Sequence, residues 1–229
     1  MDQKFVVKTL SNDIRCLLIQ VLDSNLIQID VNVLAGMYNE GDYELGGMHF
    51  LEHFNGYFTS KKYPDGRKLE SKLNCLGTMS NASTSEYNTT YWIKGQKQNF
   101  DEYLDIIGNA FYEFVIDETT FKQERNAVLE ELKSIKSERW FKAEEDVSSI
   151  FYPNHPESYK LRNEIRNVRK LITKDLINFR NKFYHTKNTL IIVTGDFEID
   201  DMFNKIKNSH FGKIESNKNE IVKFPKLES

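Results

Sequence analysis

His49, Glu52 and His53 stand at positions i+1, i+4 and i+5 of the run Met48-His49-Phe50-Leu51-Glu52-His53. If that run is helical, the three side chains leave one side of the helix within a single turn. Two imidazoles then converge on one point with a carboxylate beside it, a His-x-x-Glu-His pattern that suits a metal-dependent hydrolytic centre. Zinc in such a centre takes three protein ligands and keeps one position open for water, so a third ligand must come from elsewhere.

The segment Glu124-Arg125-Asn126-Ala127-Val128-Leu129-Glu130-Glu131-Leu132 supplies candidates in Glu124, Glu130 and Glu131, with Glu138 further on. At about 100° per residue, Phe121, Val128, Leu132 and Ile135 form one apolar stripe. Glu124 and Glu131 fall roughly 50° and 70° from its centre and Glu130 about 170° away, so Glu130 faces water. Two carboxylates bordering a buried stripe are costly unless something cationic compensates them, and a metal would do so.

The elements that must position these groups are legible in outline. Residues 4–10, 14–22 and 26–34 are β-like and separated by short polar breaks, which predicts hairpin turns and an antiparallel meander. Residues 41–47 are turn-rich and feed the helix of the histidine motif. A second helix runs from Pro64-Asp65-Gly66 to about residue 76 and stops at Gly77. Strands follow at 78–84 and 88–94, then helices at 99 to about 111 and 118 to about 139. After a loop through Asn154-His155-Pro156 comes a charged helical stretch, then a helix N-capped by Thr173, a strand at 189–194 and a helix from 200 to about 210. This order predicts an α+β domain: an antiparallel or mixed sheet with helices layered on one face. The domain spans residues 1–211, and residues 212–229 read as a polar tail or linker.

Other features carry less chemistry. Asn81-Ala82-Ser83-Thr84 is polar and β-prone. It suits an exposed sheet edge to which an extended peptide could add by main-chain hydrogen bonds, although an interior strand fits the same composition. His155 and His185 read as ordinary loop and helix-end histidines. Residues 160–170 mix charges of both signs and read as a solvated helix face. Cys16 and Cys75 read as two small buried hydrophobes in a reducing compartment, not as a disulfide.

Composition narrows the classes. The chain has 229 residues with 31 Lys+Arg against 34 Asp+Glu, a net charge of −3 that argues against nucleic acid or an anionic membrane as partner. The 16 Phe, 11 Tyr and 2 Trp supply buriable surface that a disordered chain lacks. No run approaches the roughly 18 apolar residues of a membrane span. The opening MDQKFVVKTLSND does not read as a signal peptide. A soluble intracellular protein is expected, cytoplasmic by default, with an organelle left open.

Taken in order, Gly46 to His53, Lys62-Tyr63-Pro64, Asn81-Ala82-Ser83-Thr84, Glu124-Arg125-Asn126-Ala127-Val128 through Glu131, and residues 189–197 with Gly195-Asp196 resemble the pitrilysin and insulin-degrading-enzyme group of zinc metallopeptidases, the inverzincins. The resemblance implies a single pitrilysin-type domain in which His49, His53 and Glu131 bind one zinc ion, Glu52 is the general base and Glu124 supports the site from behind. It further implies that Asn81, Ala82 and Ser83 lie on an edge strand receiving the substrate backbone. Past His53 the chain departs from the family pattern and carries one extra residue near Ser60, in a loop between helices. Enzymes of this group resemble a clamshell of four related domains, and this chain is the size of one. The resemblance therefore implies a zinc endopeptidase acting on oligopeptides or unfolded segments with a second half or companion subunit. The alternative is a non-catalytic scaffold subunit of the same fold.

Overall fold

The computed structural model describes residues 4–40, 46–153, 160–216 and 221. The expected turn at 41–45, His155 with its loop, and most of the expected tail lie outside the described residues.

Six strands form one mixed sheet: β1 (Lys4–Thr9), β2 (Arg15–Gln20), β3 (Leu26–Val33), β4 (Met79–Thr84), β5 (Thr89–Gln96) and β6 (Thr189–Gly195), in the order β1-β2-β6-β3-β5-β4. The helices are α1 (Gly47–Gly56), α2 (Gly66–Cys75), α3 (Phe100–Tyr112), α4 (Glu118–Ser137), α5 (Arg139–Phe151), α6 (Lys160–Val168), α7 (Thr173–Phe183), α8 (Ile199–Asn208) and α9 (His210–Lys213). The α+β class with a mixed sheet is as expected.

The expected meander is corrected. β1 and β2 do form an antiparallel hairpin, turned by Asp13 at a φ of 76°. However, β6 lies between β2 and β3, parallel to β2 and antiparallel to β3. Its run Leu190-Ile191-Ile192-Val193 is apolar on both faces, the composition of a central strand, so it enters the sheet interior. The loop after β2 crosses the end of β6, where Val21 N–H donates to the Gly195 carbonyl at 2.7 Å. A Cβ on residue 195 would stand 2.9 Å from Ile27 Cγ1 and 3.1 Å from Ile27 Cα, so glycine at the end of β6 permits the close approach of β3.

Alternation along the strands gives one apolar face. Cys16, Leu18, Ile29, Val31, Tyr91, Ile93, Ile191 and Val193 are all fully buried and share that face. Met48, Phe50 and Leu51 of α1 and Ile106, Ile107 and Ala110 of α3 belong to the same core.

Four smaller readings also change. The long helix expected to reach residue 139 ends at Ser137; Glu138 is extended at a ψ of 126°, and a separate α5 follows. Thr173 is the first residue of α7 rather than its cap: the Ile172 N–H donates to Asp175 Oδ2 at 2.9 Å, and the Thr173 hydroxyl donates to Glu118. Cys75 is exposed, whereas Cys16 is buried, which pushes its thiol up to about 12. Within residues 160–170, Glu164, Asn167 and Val168 are buried, so this stretch is no solvated face.

Candidate metal centre

α1 begins where the chain can turn into it. Gly46 takes a left-handed φ of 96°, and the Glu40 carboxylate accepts the backbone N–H groups of Gly46, at 2.8 Å, and Met48. These are helix N-terminal donors that would otherwise be unpaired. Burial pushes the Glu40 carboxyl up to about 8, although both N–H groups favour its charged form. α1 buries Met48, Phe50, Leu51 and Phe54 and leaves His49, Glu52 and His53 on its half-buried side.

α4 is capped by Asp117, which accepts from Thr119 N at 3.0 Å and Thr120 N at 2.9 Å. Its stripe Phe121, Val128 and Leu132 is buried with Ile135 packed beside it, as the helix angles predict. Phe121 stands 4.9 Å from Phe50 and 6.2 Å from Phe54, centroid to centroid. This aromatic contact fixes α4 against α1, and with it the relation between Glu131 and the histidines.

The three expected ligands meet. His53 Nε2 is 3.2 Å from Glu131 Oε2 and His49 Nε2 is 3.7 Å from Glu131 Oε1. One ligand atom from each of the three residues can be chosen so that all lie within 4.8 Å of one another. In a tetrahedron with bonds of about 2.0–2.1 Å, neighbouring ligand atoms stand about 3.3 Å apart, so these spacings suit a zinc-sized cation after small adjustments. Glu130, by contrast, points into solvent and pairs with Lys133 at 2.5 Å.

Behind the ligands stand two buried carboxylates. Glu124 is 8% exposed and its Oε2, which finds no hydrogen-bond partner among the described residues, lies 3.6 Å from His53 Nδ1. Glu164 Oε1 lies 2.7 Å from His49 Nδ1. Burial opposes charge on His49, but the hydrogen bond and charge of Glu164, with Glu52 and Glu131, outweigh it and lift the imidazole to about 9. Such an environment favours a cation between the histidines and acids. Burial raises the Glu52 carboxyl, His49 and His53 lower it and Glu131 raises it again, for a net rise.

The site opens into a cleft of about 730 Å³ lined by His49, Glu52, His53, Glu131 and Glu164, and along one side by residues 80–84. Among the described residues β4 pairs only with β5, which makes it an edge of the sheet. Ala82 shares the sheet's helix-side face with Ser80 and Thr84, while Asn81 and Ser83 share the other. In the loop after α1, Phe58 is buried at a left-handed φ of 51° and Ser60 is fully buried. His185 is not part of this cluster: it is buried, with neither ring nitrogen hydrogen-bonded among the described residues.

Glu164 is the residue that reading the sequence missed. Leu161, Glu164, Ile165 and Val168 follow i, i+3, i+4, i+7 spacing, so Glu164 occupies an inward stripe position despite its charged neighbours. That spacing was the available signal.

Comparison with known proteins gives concordant matches. The profile of the insulinase family, peptidase family M16, matches residues 20–164, and that of the peptidase M16 inactive domain matches residues 170–228. The zinc protease PqqE of Helicobacter pylori is 26% identical over 88% of this chain and 45% of its own length. An uncharacterized zinc protease of Bacillus subtilis, YmxG, is 26% identical over 91% of this chain and 50% of its own. A probable mitochondrial-processing peptidase subunit beta of Arabidopsis thaliana is 24% identical over 88% of this chain and 38% of its own. This chain thus spans half or less of the length of these relatives. Among solved structures, a protease from Helicobacter pylori superposes with a TM-score of 0.81 at 24% identity, over 98% of this chain and 54% of that one. Pitrilysin superposes with a TM-score of 0.80 at 21% identity, over 96% and 24%. These two likenesses establish the fold.

Proposed function

Since the chain belongs to the insulinase family, peptidase family M16, we propose that it is a zinc-dependent endopeptidase domain that hydrolyses oligopeptides or unfolded segments. The observation that carries this reading is the convergence of His49, His53 and Glu131 from two helices. The names of two relatives as zinc proteases support the choice of metal. In this reading the three residues would hold one zinc ion per chain beside the cleft. The buried, unpartnered Glu124 Oε2 fits a cationic centre, since it backs a ligand histidine that a metal would polarise. When bound, zinc polarises the scissile carbonyl and makes water nucleophilic near neutral pH.

Glu52 shares the cleft side of α1 with both histidines. As general base it takes a proton from the attacking water and returns it to the leaving amine. Burial, by raising its carboxyl, brings its basicity closer to working pH. The main chain of Asn81, Ala82 and Ser83, at the free edge of β4, receives an extended peptide as an added strand.

Residues 1–211 form the catalytic unit and 212–229 a connecting tail. A second half or companion subunit closes over the cleft; some relatives are named as subunits, and the match covers half or less of each of the three named above. Among the described residues no helix is long and apolar enough to cross a membrane. The two free cysteines suit a reducing intracellular compartment.

The test is chelator-sensitive, zinc-restored cleavage of a quenched peptide by the protein alone and with its companion half. Glu52→Gln is expected to lower the rate by about 10²–10⁴-fold with zinc content unchanged. Unchanged cleavage in that variant would refute the assignment, and a stable complex with metal only in the companion chain would indicate a scaffold.

A further inference from the structure

The His49 ring is held between carboxylates at both ends. Nε2 faces Glu131 Oε1 at 3.7 Å, and Nδ1 lies 2.7 Å from Glu164 Oε1. Glu164 comes from neither ligand helix but from α6, which packs against α4. Its residue exposure is only 4%, and a carboxylate so buried requires a donor or a positive charge to offset its lost hydration.

Its approach depends on a bare backbone position. A Cβ on Gly46 would stand 2.7 Å from Glu164 Cγ and 2.8 Å from Val168 Cγ2. Glycine at the start of α1 therefore lets α6 settle close enough for the Glu164 side chain to reach a ring three residues further along α1.

We propose that Glu164 is a positioning residue of the metal centre. It accepts the Nδ1–H of His49, fixes the ring in the tautomer whose Nε2 carries a free lone pair, and aims that nitrogen at the point shared with His53 and Glu131. A carboxylate partner on the far ring nitrogen also raises the ligand's basicity. Glu124 stands similarly behind His53 but at 3.6 Å, so the hydrogen-bonded partner is the one on His49. The inference rests on the zinc reading above, which it extends to a residue outside the ligand helices.

The experiment is zinc affinity by competition with a chromophoric chelator, for wild type, Glu164→Ala, Glu164→Gln and Glu130→Gln, with thermal unfolding of each metal-free protein alongside. Glu164→Ala is expected to weaken zinc binding by about 10–100-fold. Glu164→Gln keeps an accepting oxygen without the charge, so its loss is smaller but still several-fold. Glu130→Gln removes an exposed carboxylate and leaves affinity unchanged. In the cobalt-substituted protein, Glu164→Ala also shifts the visible absorption bands, because the reoriented imidazole alters the ligand field.

If Glu164→Ala does not fold, the isosteric glutamine variant decides. Folded Glu164 variants that bind zinc as tightly as wild type overturn the proposal. So does a lowered melting temperature with unchanged zinc affinity, because Glu164 then only packs α6 against α1. Wild type that binds no zinc overturns the metal reading itself, and this proposal with it.

Discussion

Gly47→Ala places a methyl group where the structure has no room. A Cβ at residue 47 would stand 2.4 Å from Phe179 Cε2, 2.7 Å from Cζ and 2.8 Å from Cδ2. The Phe179 ring is 4% exposed and stacks on Phe183 at 6.2 Å with an interplanar angle of 15°, so it has little freedom to swing aside. Overpacking of this kind costs about 1–3 kcal/mol. The better helix propensity of alanine offsets at most about 1 kcal/mol of it, less at the first helical position. The balance is a loss of about 1–2 kcal/mol, or about 2–8 °C in melting temperature for a domain of this size. The assay is a double-mutant cycle with Phe179→Leu, followed by urea and thermal unfolding. Once the ring is shortened, Gly47→Ala is expected to be neutral or stabilising, giving a favourable coupling of about 1 kcal/mol or more. Because His49 lies two residues along the same helix, the single variant should also weaken zinc binding. A melting temperature raised by Gly47→Ala, or an equal cost in both backgrounds, would refute the packing argument.

Glu40 gives a pH signature in the metal-free protein. Burial raises its carboxyl from 4.5 to about 8, so its contribution to stability is fully present below pH 4.5 and is lost as pH rises through 8. Urea unfolding at pH 5.5 and pH 9 should show wild type losing more stability than Glu40→Gln, by on the order of a few kcal/mol; parallel losses would contradict this. Asn12, 7% exposed, donates through Nδ2 to the carbonyls of Phe211 at 2.8 Å and Ile214 at 2.7 Å. Asn12→Ala should therefore cost about 1–3 kcal/mol and expose the segment after Ser209 to earlier proteolysis. Zinc at a hundredfold excess over its dissociation constant should stabilise wild type by about 2.7 kcal/mol, an increment absent in His53→Ala. Equal zinc-dependent shifts in both proteins would place the metal elsewhere.

What could be read in advance was whatever local periodicity encodes. Helical spacing alone aligns His49, Glu52 and His53, and the Phe121, Val128, Leu132 stripe separates Glu131 from Glu130, which faces solvent. Strand positions are legible for a similar reason, as β-like runs bounded by short polar breaks. The place of β6 did not, because strand order depends on contacts between residues far apart in the chain; only its two-sided apolar run hinted at a central position. Glu164 was obscured because its burial depends on the space left by Gly46 and its partner is His49, both more than a hundred residues away. At the start of α7 the Asp175 carboxylate accepts the Ile172 N–H, a role the Ile172 side chain does not announce, and Thr173 is drawn instead to Glu118.

The most direct test of the central claim is zinc content after loading and desalting, for wild type, His49→Ala, His53→Ala and Glu131→Gln. The account predicts one zinc ion per wild-type chain and a large loss of bound zinc in each folded variant. Substoichiometric zinc in the loaded wild type, or full retention after any one of the three ligands is replaced, would contradict it.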